Sequence, residues 1–398
     1  MTHHNILTND PSYNADLTLR WRQLQRLMAN GSAQAMIIST HVNLYYTTGA
    51  IFEGYLYLPI EGDPTLFVRR PSSIKHDKAI IIRKVEQIPE LLAERGIAPA
   101  KEILLEMDEM SYNDVLRIQK AFAGSTFGNA TAIIRYSRSL KSPWEIEQMR
   151  ISGIKQSEAY AAIPELYEKG MTDIDLQIAF ETYWRKMGSI GLFRGFGALD
   201  IFMGSLLVGD NAEAPSAYDF ALGGAGVHPA APIGANGTLI AEGTTTMVDM
   251  AGNYTAYISD QTRTFSLGKL PDLAFRAHDA SIAIQRRLQE IAYPGIPCAD
   301  LYNEGYRMVQ AAELEPYFMG TKQQAKFFGH GIGLQINEIP IITPRSRETL
   351  ELNIVMAVEP KFVIPGVGAV GTESSYVMTP EGFEQITLAD EALIPLDK

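Results

Sequence analysis

The chain has 398 residues, enough for two or three domains, and 46% of them are hydrophobic, enough for large buried cores. Its 34 Lys and Arg against 46 Asp and Glu give a net charge of −12, which argues against nucleic acid or an anionic membrane surface as a partner. The only cysteine, Cys298, excludes an internal disulfide, and no apolar stretch approaches the roughly 18 residues that span a bilayer. We expect a cytoplasmic protein that binds neither nucleic acid nor membranes.

The first part of the chain alternates helical and strand patterns. A helical periodicity that ends at Gly31 is followed by short apolar or alternating runs typical of strands and by two further helical segments. The predicted strands lie near 35–39, 55–60, 65–70, 79–82 and 102–106, and the helices near 86–96 and 111–122. Strands that alternate with helices predict an α/β domain with a covered sheet, which we place at residues 1–140.

The second part begins at a clear helix start signal. Ser142 and Glu145 have the spacing of a capping box, with proline at the first helical position. The predicted helix runs to Gly170, and a second helix ends near Gly188. From Gly191 to Gly237 glycines are frequent and periodicity is poor. Strand patterns dominate after that, with helices near 271–292 and 298–312. This order predicts an α+β domain over residues 141–398.

Two apolar hairpins each carry a pair of acidic residues. Asp249 and Asp260 flank the turn-forming pair Gly252–Asn253, and their midpoint lies between residues 254 and 255. A hairpin that turns there sets the two carboxylates opposite each other, with facing Cβ atoms roughly 4.5–5.5 Å apart. Carboxylates this close raise each other's pKa unless a cation lies between them.

Glu359 and Glu373 repeat the arrangement, with their midpoint at Gly366 inside a Pro-Gly-Val-Gly turn. Both acids lie in apolar strands, where an unpaired charge is costly. For one such acid, a solvated position at a sheet edge is the better interpretation. Two hairpins that each pair their acids across the turn indicate a cation site instead.

His330 lies among alternating glycines, which permit close backbone approach. A lone histidine is more often structural than a ligand, but four nearby carboxylates change that expectation. Four oxygen donors and one imidazole suit Mn, Co, Zn or Fe. Because five ligands exceed what one small ion needs, we predict two divalent ions bridged by carboxylates, roughly 3.5–4 Å apart.

The ordered set of acids and histidine resembles the pita-bread metallopeptidases, which include Xaa-Pro dipeptidase (prolidase), aminopeptidase P and methionine aminopeptidase; creatinase shares their fold. The segments that carry the resemblance are SDQTRTF, GHGIGL, AVEPKF, GTESSYVMTPEG, the helix start SPWEIEQMR and, in the first domain, NLYYTTG. Together they cover nearly the whole chain. The resemblance implies an α+β fold, with a C-terminal pita-bread catalytic domain preceded by a smaller α/β creatinase-type domain.

The resemblance also implies a function and a ligand set. The chain is expected to be a dinuclear-metal hydrolase, often with manganese or cobalt, in which a metal-bridging hydroxide attacks an amide bond of a short peptide. Asp260 and Glu373 would bridge the ions, and Glu359 would carry the proton. A homodimer is expected from resemblance alone. The implied metal ligands are Asp249, Asp260, His330, Glu359 and Glu373.

The chain departs from the proline-specific members at three places. Asn337 occupies the position of a histidine, and Gly371 that of an arginine often found in prolidases. A further histidine is expected near residue 232, where the nearest one is His228. Asparagine can donate to an oxyanion but cannot carry a proton at neutral pH. His228 and Asn337 join Glu359 as candidate catalytic residues.

The departures leave more than one function open. Arg194, beside Phe193, is a candidate for binding a substrate carboxylate, with a packing or surface arginine as the alternative. The leading hypothesis is an aminopeptidase or dipeptidase that acts on short peptides. The alternative is a small-molecule metal-dependent amide hydrolase or lyase on the same fold. A catalytically silent binding protein is disfavoured, because a complete set of buried ligands is costly without metal.

Overall fold

The computed structural model describes residues 11–74, 78–197, 203–218 and 220–397. The chain divides into two compact units, Met1–Arg138 and Ser139–Lys398. Within the described ranges, none of the helices combines the length and the apolar character needed to cross a membrane.

The first unit is built on a mixed sheet, as the alternating pattern predicts. Its strands are β1 Ala35–Ile38, β2 Glu53–Pro59, β3 Thr65–Arg70, β4 Ala79–Ile81, β5 Glu102–Leu105 and β6 Thr126–Asn129. They lie in the order β4-β3-β2-β1-β5-β6. The helices are α1 Pro11–Ala29, α2 His41–Thr48, α3 Ile88–Glu94, α4 Tyr112–Ala121 and α5 Thr131–Ser139. Ile37, Phe67, Leu105 and Ile118 belong to one buried core, so strand and helix side chains pack together.

The helices of the second unit follow their sequence signals, with one correction. They are α6 Pro143–Ala161, α7 Ile163–Leu166, α8 Asp173–Lys186, α9 Asp272–Ile291 and α10 Cys298–Ala311. The predicted capping box is present: Ser142 Oγ accepts from the Glu145 amide at 3.2 Å, and the Glu145 carboxylate accepts from the Ser142 amide at 2.9 Å. The predicted continuation to Gly170 is wrong. Proline at position 164 has no N–H to donate and crowds the preceding turn, so α6 ends at Ala161.

The strands of the second unit form two sheets and two short ladders in the part of the chain that the structure describes. They are β7 Ser205–Val208, β8 Thr244–Asp249, β9 Gly252–Asn253, β10 Ile258–Ser259, β11 Thr262–Leu267, β12 Gly329–Gly331, β13 Glu338–Ile341, β14 Val355–Val358, β15 Lys361–Ile364, β16 Gly368–Gly371, β17 Ser374–Thr379, β18 Gly382–Gln385 and β19 Ile394–Pro395. One sheet has the order β19-β11-β8-β7, and the other has the order β13-β12-β14-β17-β18. The short ladders pair β9 with β10 and β15 with β16.

One backbone bridge brings the two larger sheets together. The Glu373 amide donates to the Thr262 carbonyl at 3.1 Å, between the start of β11 and the junction of β16 and β17. Helix α9 packs against β15 and β16, and its Ala277 shares a buried core with Leu301 and Phe362. The carboxylates of both acidic hairpins therefore come from strand ends that lie side by side.

Candidate metal centre

The structure brings the five predicted ligands together. Asp260, His330 and Glu373 offer ligand atoms that all lie within 4.8 Å of one another, and Asp249, Glu359 and Glu373 form a second such group. Glu373 belongs to both groups. Each of these side chains lies within a short strand or next to a strand end, where the ladder is interrupted and the side chains can converge.

The second acidic hairpin has the predicted register. Val358 pairs with Ser374 on one side, and Lys361 pairs with Gly371 on the other. Glu359 therefore faces Glu373 at the short break between the two ladders. This prediction from the turn position is confirmed.

The first acidic hairpin is shifted. Asp249 pairs with Thr262, and Asn253 pairs with Ile258, so the hairpin is centred one residue later than predicted. The turn covers residues 254–257 and contains Ala256 at a positive φ of 76°. The prediction that Asp249 faces Asp260 directly was wrong. The two acids are diagonal neighbours, two residues apart in register, which still leaves them within reach of one cluster.

The His330 ring is oriented as a metal ligand would be. Its Nε2 lies 3.4 Å from Glu359 Oε1 and 3.8 Å from Asp260 Oδ2. Its Nδ1 lies 3.2 Å from the Gly331 carbonyl oxygen. Since a carbonyl only accepts, Nδ1 donates, and Nε2 is directed at the carboxylates. Such a backbone contact fixes the tautomer of metal-binding histidines.

Hydroxyl groups of neighbouring residues hydrogen-bond to two of the acidic residues, Glu373 and Asp260. Thr262 Oγ1 donates to Glu373 Oε2 at 2.6 Å. Ser375 Oγ accepts from the Asp260 amide at 2.9 Å and donates to its carbonyl at 2.7 Å. These bonds restrict Glu373 and the backbone of Asp260. The chemistry and orientation of Asp260, His330 and Glu373 thus fit one divalent ion.

Sequence analysis missed one functional group, the Lys361 ammonium. Its Nζ lies 2.8 Å from Asp249 Oδ2, 2.7 Å from Glu359 Oε2 and 3.0 Å from Glu373 Oε2, and its side chain is 0% exposed. The signal was present in the sequence. Lys361 follows Glu359 by two residues, and side chains two apart along a strand point to the same face.

The protein's own groups leave this cluster short of positive charge. Burial, and next the charge of Asp249, raises the pKa of Asp260 to about 7. Burial and the charge of Asp260 raise the pKa of Glu373 well above its usual value. Burial opposes ionisation of Glu359 too, but Lys361 and His330 outweigh it and lower the pKa of Glu359 to about 2. Glu359 differs from Glu373, which Lys361 also contacts, because both Lys361 and His330 stabilise the charged form of Glu359, whereas burial and the charge of Asp260 dominate at Glu373.

The two other candidate catalytic residues, His228 and Asn337, hydrogen-bond to the backbone of loops. His228 is exposed, and its Nδ1 accepts from the Ala230 amide at 3.0 Å, a contact within its own loop. It belongs to neither of the two groups whose ligand atoms converge. Asn337 Oδ1 accepts from the Phe196 amide at 2.6 Å, and its Nδ2 donates to the Phe196 carbonyl at 3.0 Å. The side-chain amide of Asn337 therefore binds the backbone of the segment that contains Phe196.

That segment contains the two substrate-binding candidates. The Arg194 carbonyl accepts from the Ile336 amide at 2.7 Å, next to the contact of Asn337 with Phe196. Phe193 is 4% exposed, so its ring is a packing group in this structure. Arg194 is half-buried. The segment is therefore tied along its backbone to the loop that precedes β13.

Comparison with known proteins agrees with this architecture. Residues 147–380 match Metallopeptidase family M24, and residues 20–140 match the Creatinase/Prolidase N-terminal domain. An Xaa-Pro dipeptidase of Pyrococcus furiosus is 25% identical over 94% of this chain and 99% of its own length. Among solved structures, an Xaa-Pro dipeptidase from Bacillus anthracis superposes with a TM-score of 0.80 at 19% identity, over 95% of this chain and 99% of that one.

A prolidase from Pyrococcus horikoshii OT3 superposes with a TM-score of 0.77 at 21% identity, over 94% of this chain and 100% of that one. These structures share the fold, a creatinase-type N-terminal domain followed by a pita-bread domain, as the sequence motifs predicted. The family match spans more than half of the chain and includes all five clustered residues, four acids and one histidine. The chain belongs to metallopeptidase family M24.

Proposed function

We propose that the protein is a metal-dependent hydrolase that cleaves an amide bond in a short peptide. The observation that carries this proposal is the convergence of Asp260, His330 and Glu373 in a chain of family M24. The name of the Pyrococcus furiosus relative, an Xaa-Pro dipeptidase, supports a peptide as substrate.

Asp260, His330 and Glu373 would hold a divalent ion, with Mn, Co, Zn and Fe as the candidates that suit these ligands. When bound, such an ion supplies Lewis acidity toward a carbonyl and toward water. The resemblance implied a second ion as well. We assign no ion to the second group, formed by Asp249, Glu359 and Glu373, because Lys361 Nζ already lies among the oxygens of these three residues.

Glu359 is the proposed proton carrier. Its two carboxylate oxygens have different neighbours: Oε2 accepts from Lys361 at 2.7 Å, while Oε1 faces His330 Nε2 at 3.4 Å. The lysine therefore fixes one oxygen, and the other lies beside the ligands where the substrate amide would react. This geometry lets one carboxylate accept and return a proton without leaving its position.

A second candidate function is a small-molecule amide hydrolase or lyase. Two observations favour it over a proline-specific peptidase. Asn337 is engaged by the Phe196 backbone, and His228 is exposed in its own loop. The proline-specific members have proton-carrying imidazoles at these places. Asn337 has only an amide, and His228 bonds within its own loop, so neither takes over that role. Weak cleavage of Xaa-Pro peptides is expected on either function.

The test is a metal-dependent activity screen. Chelator-treated protein is given Mn²⁺, Co²⁺, Zn²⁺ or Fe²⁺ separately and is incubated with dipeptides and with N-acyl and betaine-like compounds, and products are identified by mass spectrometry. Metal-dependent cleavage of peptides supports the proposal. Turnover of small amides without any cleavage of peptides supports the second candidate function instead. Absence of any metal-dependent turnover defeats both.

Asn337→His tests the substrate side in the same assay. A gain in Xaa-Pro cleavage supports the argument from the missing histidine. Rapid Xaa-Pro cleavage by the wild type that the substitution leaves unchanged restores an ordinary prolidase assignment. The homodimer, the cytoplasmic location and the domain division at residue 140 stay predictions; light scattering tests the first of them.

A further inference from the structure

We propose that the Lys361 ammonium takes the place of one of the two metal ions, so that the chain binds a single divalent ion, at Asp260, His330 and Glu373. The inference rests on the metal dependence of the proposed function. It does not depend on which substrate is cleaved.

The contacts of Lys361 are those of a cation at the centre of a ligand set. An ammonium has three N–H donors, and each has a carboxylate oxygen at 2.7–3.0 Å, from Asp249, Glu359 and Glu373. These distances are typical of charge-assisted hydrogen bonds. The same three carboxylates have the spacing of a metal-binding group. The ammonium therefore uses the oxygens that a second ion would need.

The backbone holds Lys361 in this place. Its strand pairs with β16, where Lys361 lies opposite Gly371. On its other side, the Lys361 carbonyl accepts from the Met319 amide at 2.8 Å. The side chain is 0% exposed, so the ammonium has no solvated position close at hand. An ion entering the second group would have to displace an ordered, buried cation.

The balance of charges in the cluster also favours a single divalent ion. The cluster contains the carboxylates of Asp249, Asp260, Glu359 and Glu373. One ammonium and one divalent ion bring three positive charges to these four negative ones. A second divalent ion would add two further positive charges within a few ångströms of the ammonium, and like charges at that distance repel strongly in a buried site. The geometry therefore favours one ion beside Lys361.

The experiment counts ions. Full-length protein is stripped with chelator, equilibrated with Mn²⁺ by dialysis and analysed by plasma mass spectrometry, and the Mn²⁺ EPR spectrum is recorded. We expect one ion per chain and the spectrum of isolated Mn²⁺. Two ions per chain with an exchange-coupled spectrum overturn the inference but leave a metal-dependent hydrolase intact. No bound ion overturns the inference and the proposed function together.

Two substitutions separate the charge of Lys361 from its volume. Lys361→Ala removes both, and we expect the ion count to rise from one to two. Lys361→Met keeps most of the volume without the charge, and we expect no second ion to fit. Lys269→Ala, at an exposed lysine of the same unit, is the control and should keep one ion. A count of one in Lys361→Ala that still folds contradicts the proposal; if that variant fails to fold, the wild-type count and EPR spectrum decide alone.

Discussion

Lys361 lies directly opposite Gly371 in the β15–β16 ladder. By the resemblance to prolidases, position 371 is where an arginine is often found, so in this chain the basic side chain is on the facing strand. Gly371 has a φ of 129°, and a Cβ built there would lie 2.9 Å from the Pro360 carbonyl oxygen and 3.1 Å from Lys361 Cα. The backbone at 371 therefore requires glycine, and an arginine there would need a different local path.

Gly371→Ala should destabilise the fold by roughly 3 kcal/mol, since it combines an unfavourable φ with a backbone clash. Gly366→Ala is the matched control in the same hairpin, because its φ is 77° and nothing lies within 4 Å of a Cβ there. We expect that control to cost only roughly 1 kcal/mol, the penalty of left-handed backbone alone. Urea unfolding measures both. Equal losses would show that the close approach to Pro360 is unimportant.

Glu359→Gln should lower turnover by roughly 10²-fold or more while the bound metal is retained. The amide preserves the shape of the side chain but cannot accept a proton as a carboxylate does. Steady-state kinetics with metal analysis of the same samples separates lost proton transfer from lost metal. Glu381→Gln, at an exposed turn residue, is the control. Unchanged turnover in Glu359→Gln would remove this residue from the mechanism.

His330→Ala should abolish the stabilisation that Mn²⁺ gives to the wild-type protein. An ion present at 100 times its dissociation constant adds about 2.7 kcal/mol to the folded state, which a thermal melt resolves readily. His228→Ala should keep the whole metal-dependent shift, because His228 is exposed and bonds within its own loop. A loss of the shift in His228→Ala would place that histidine at the metal after all.

Local sequence signals predicted the site where they were strong. Gly366 centres the second hairpin, so the turn alone fixed the register that brings Glu359 opposite Glu373. The first hairpin was less well determined. Its loop contains Ala256 at a positive φ, a conformation that is uncommon for alanine and that the sequence does not indicate. The centre of this hairpin therefore lies one residue later than predicted.

Other features depended on the rest of the fold. Lys361 was missed because lysine is usually read as exposed, although its spacing from Glu359 placed both side chains on one face. Neither the exposure of His228 nor the contact of Asn337 with Phe196 has a local sequence signal, since each depends on the path of a glycine-rich segment. The positions of loops, which depend on contacts between residues far apart in the sequence, could therefore not be predicted.

The ion pair between Lys141 and Glu338 supports the loop next to the metal centre. Their Nζ and Oε2 atoms lie 3.0 Å apart, with side chains 1% and 4% exposed. Glu338 Oε1 also accepts from the amides of Leu334 and Gln335, at 3.0 and 3.2 Å. The carboxylate thus holds the turn that follows His330, and it does so next to the cation of Lys141.

Lys141→Met should destabilise the protein by roughly 3–5 kcal/mol, because it takes this countercharge from a buried carboxylate. The double variant Lys141→Met, Glu338→Gln should recover much of that loss, since the glutamine carbonyl still accepts from the two amides without a charge. Arg150→Met breaks the more exposed pair with Glu384, with side chains 31% and 47% exposed, and serves as the control. We expect it to cost at most about 1 kcal/mol. Denaturant unfolding of the set measures all three, and a double variant no more stable than Lys141→Met would mean that the loop needs the charge of Glu338 itself.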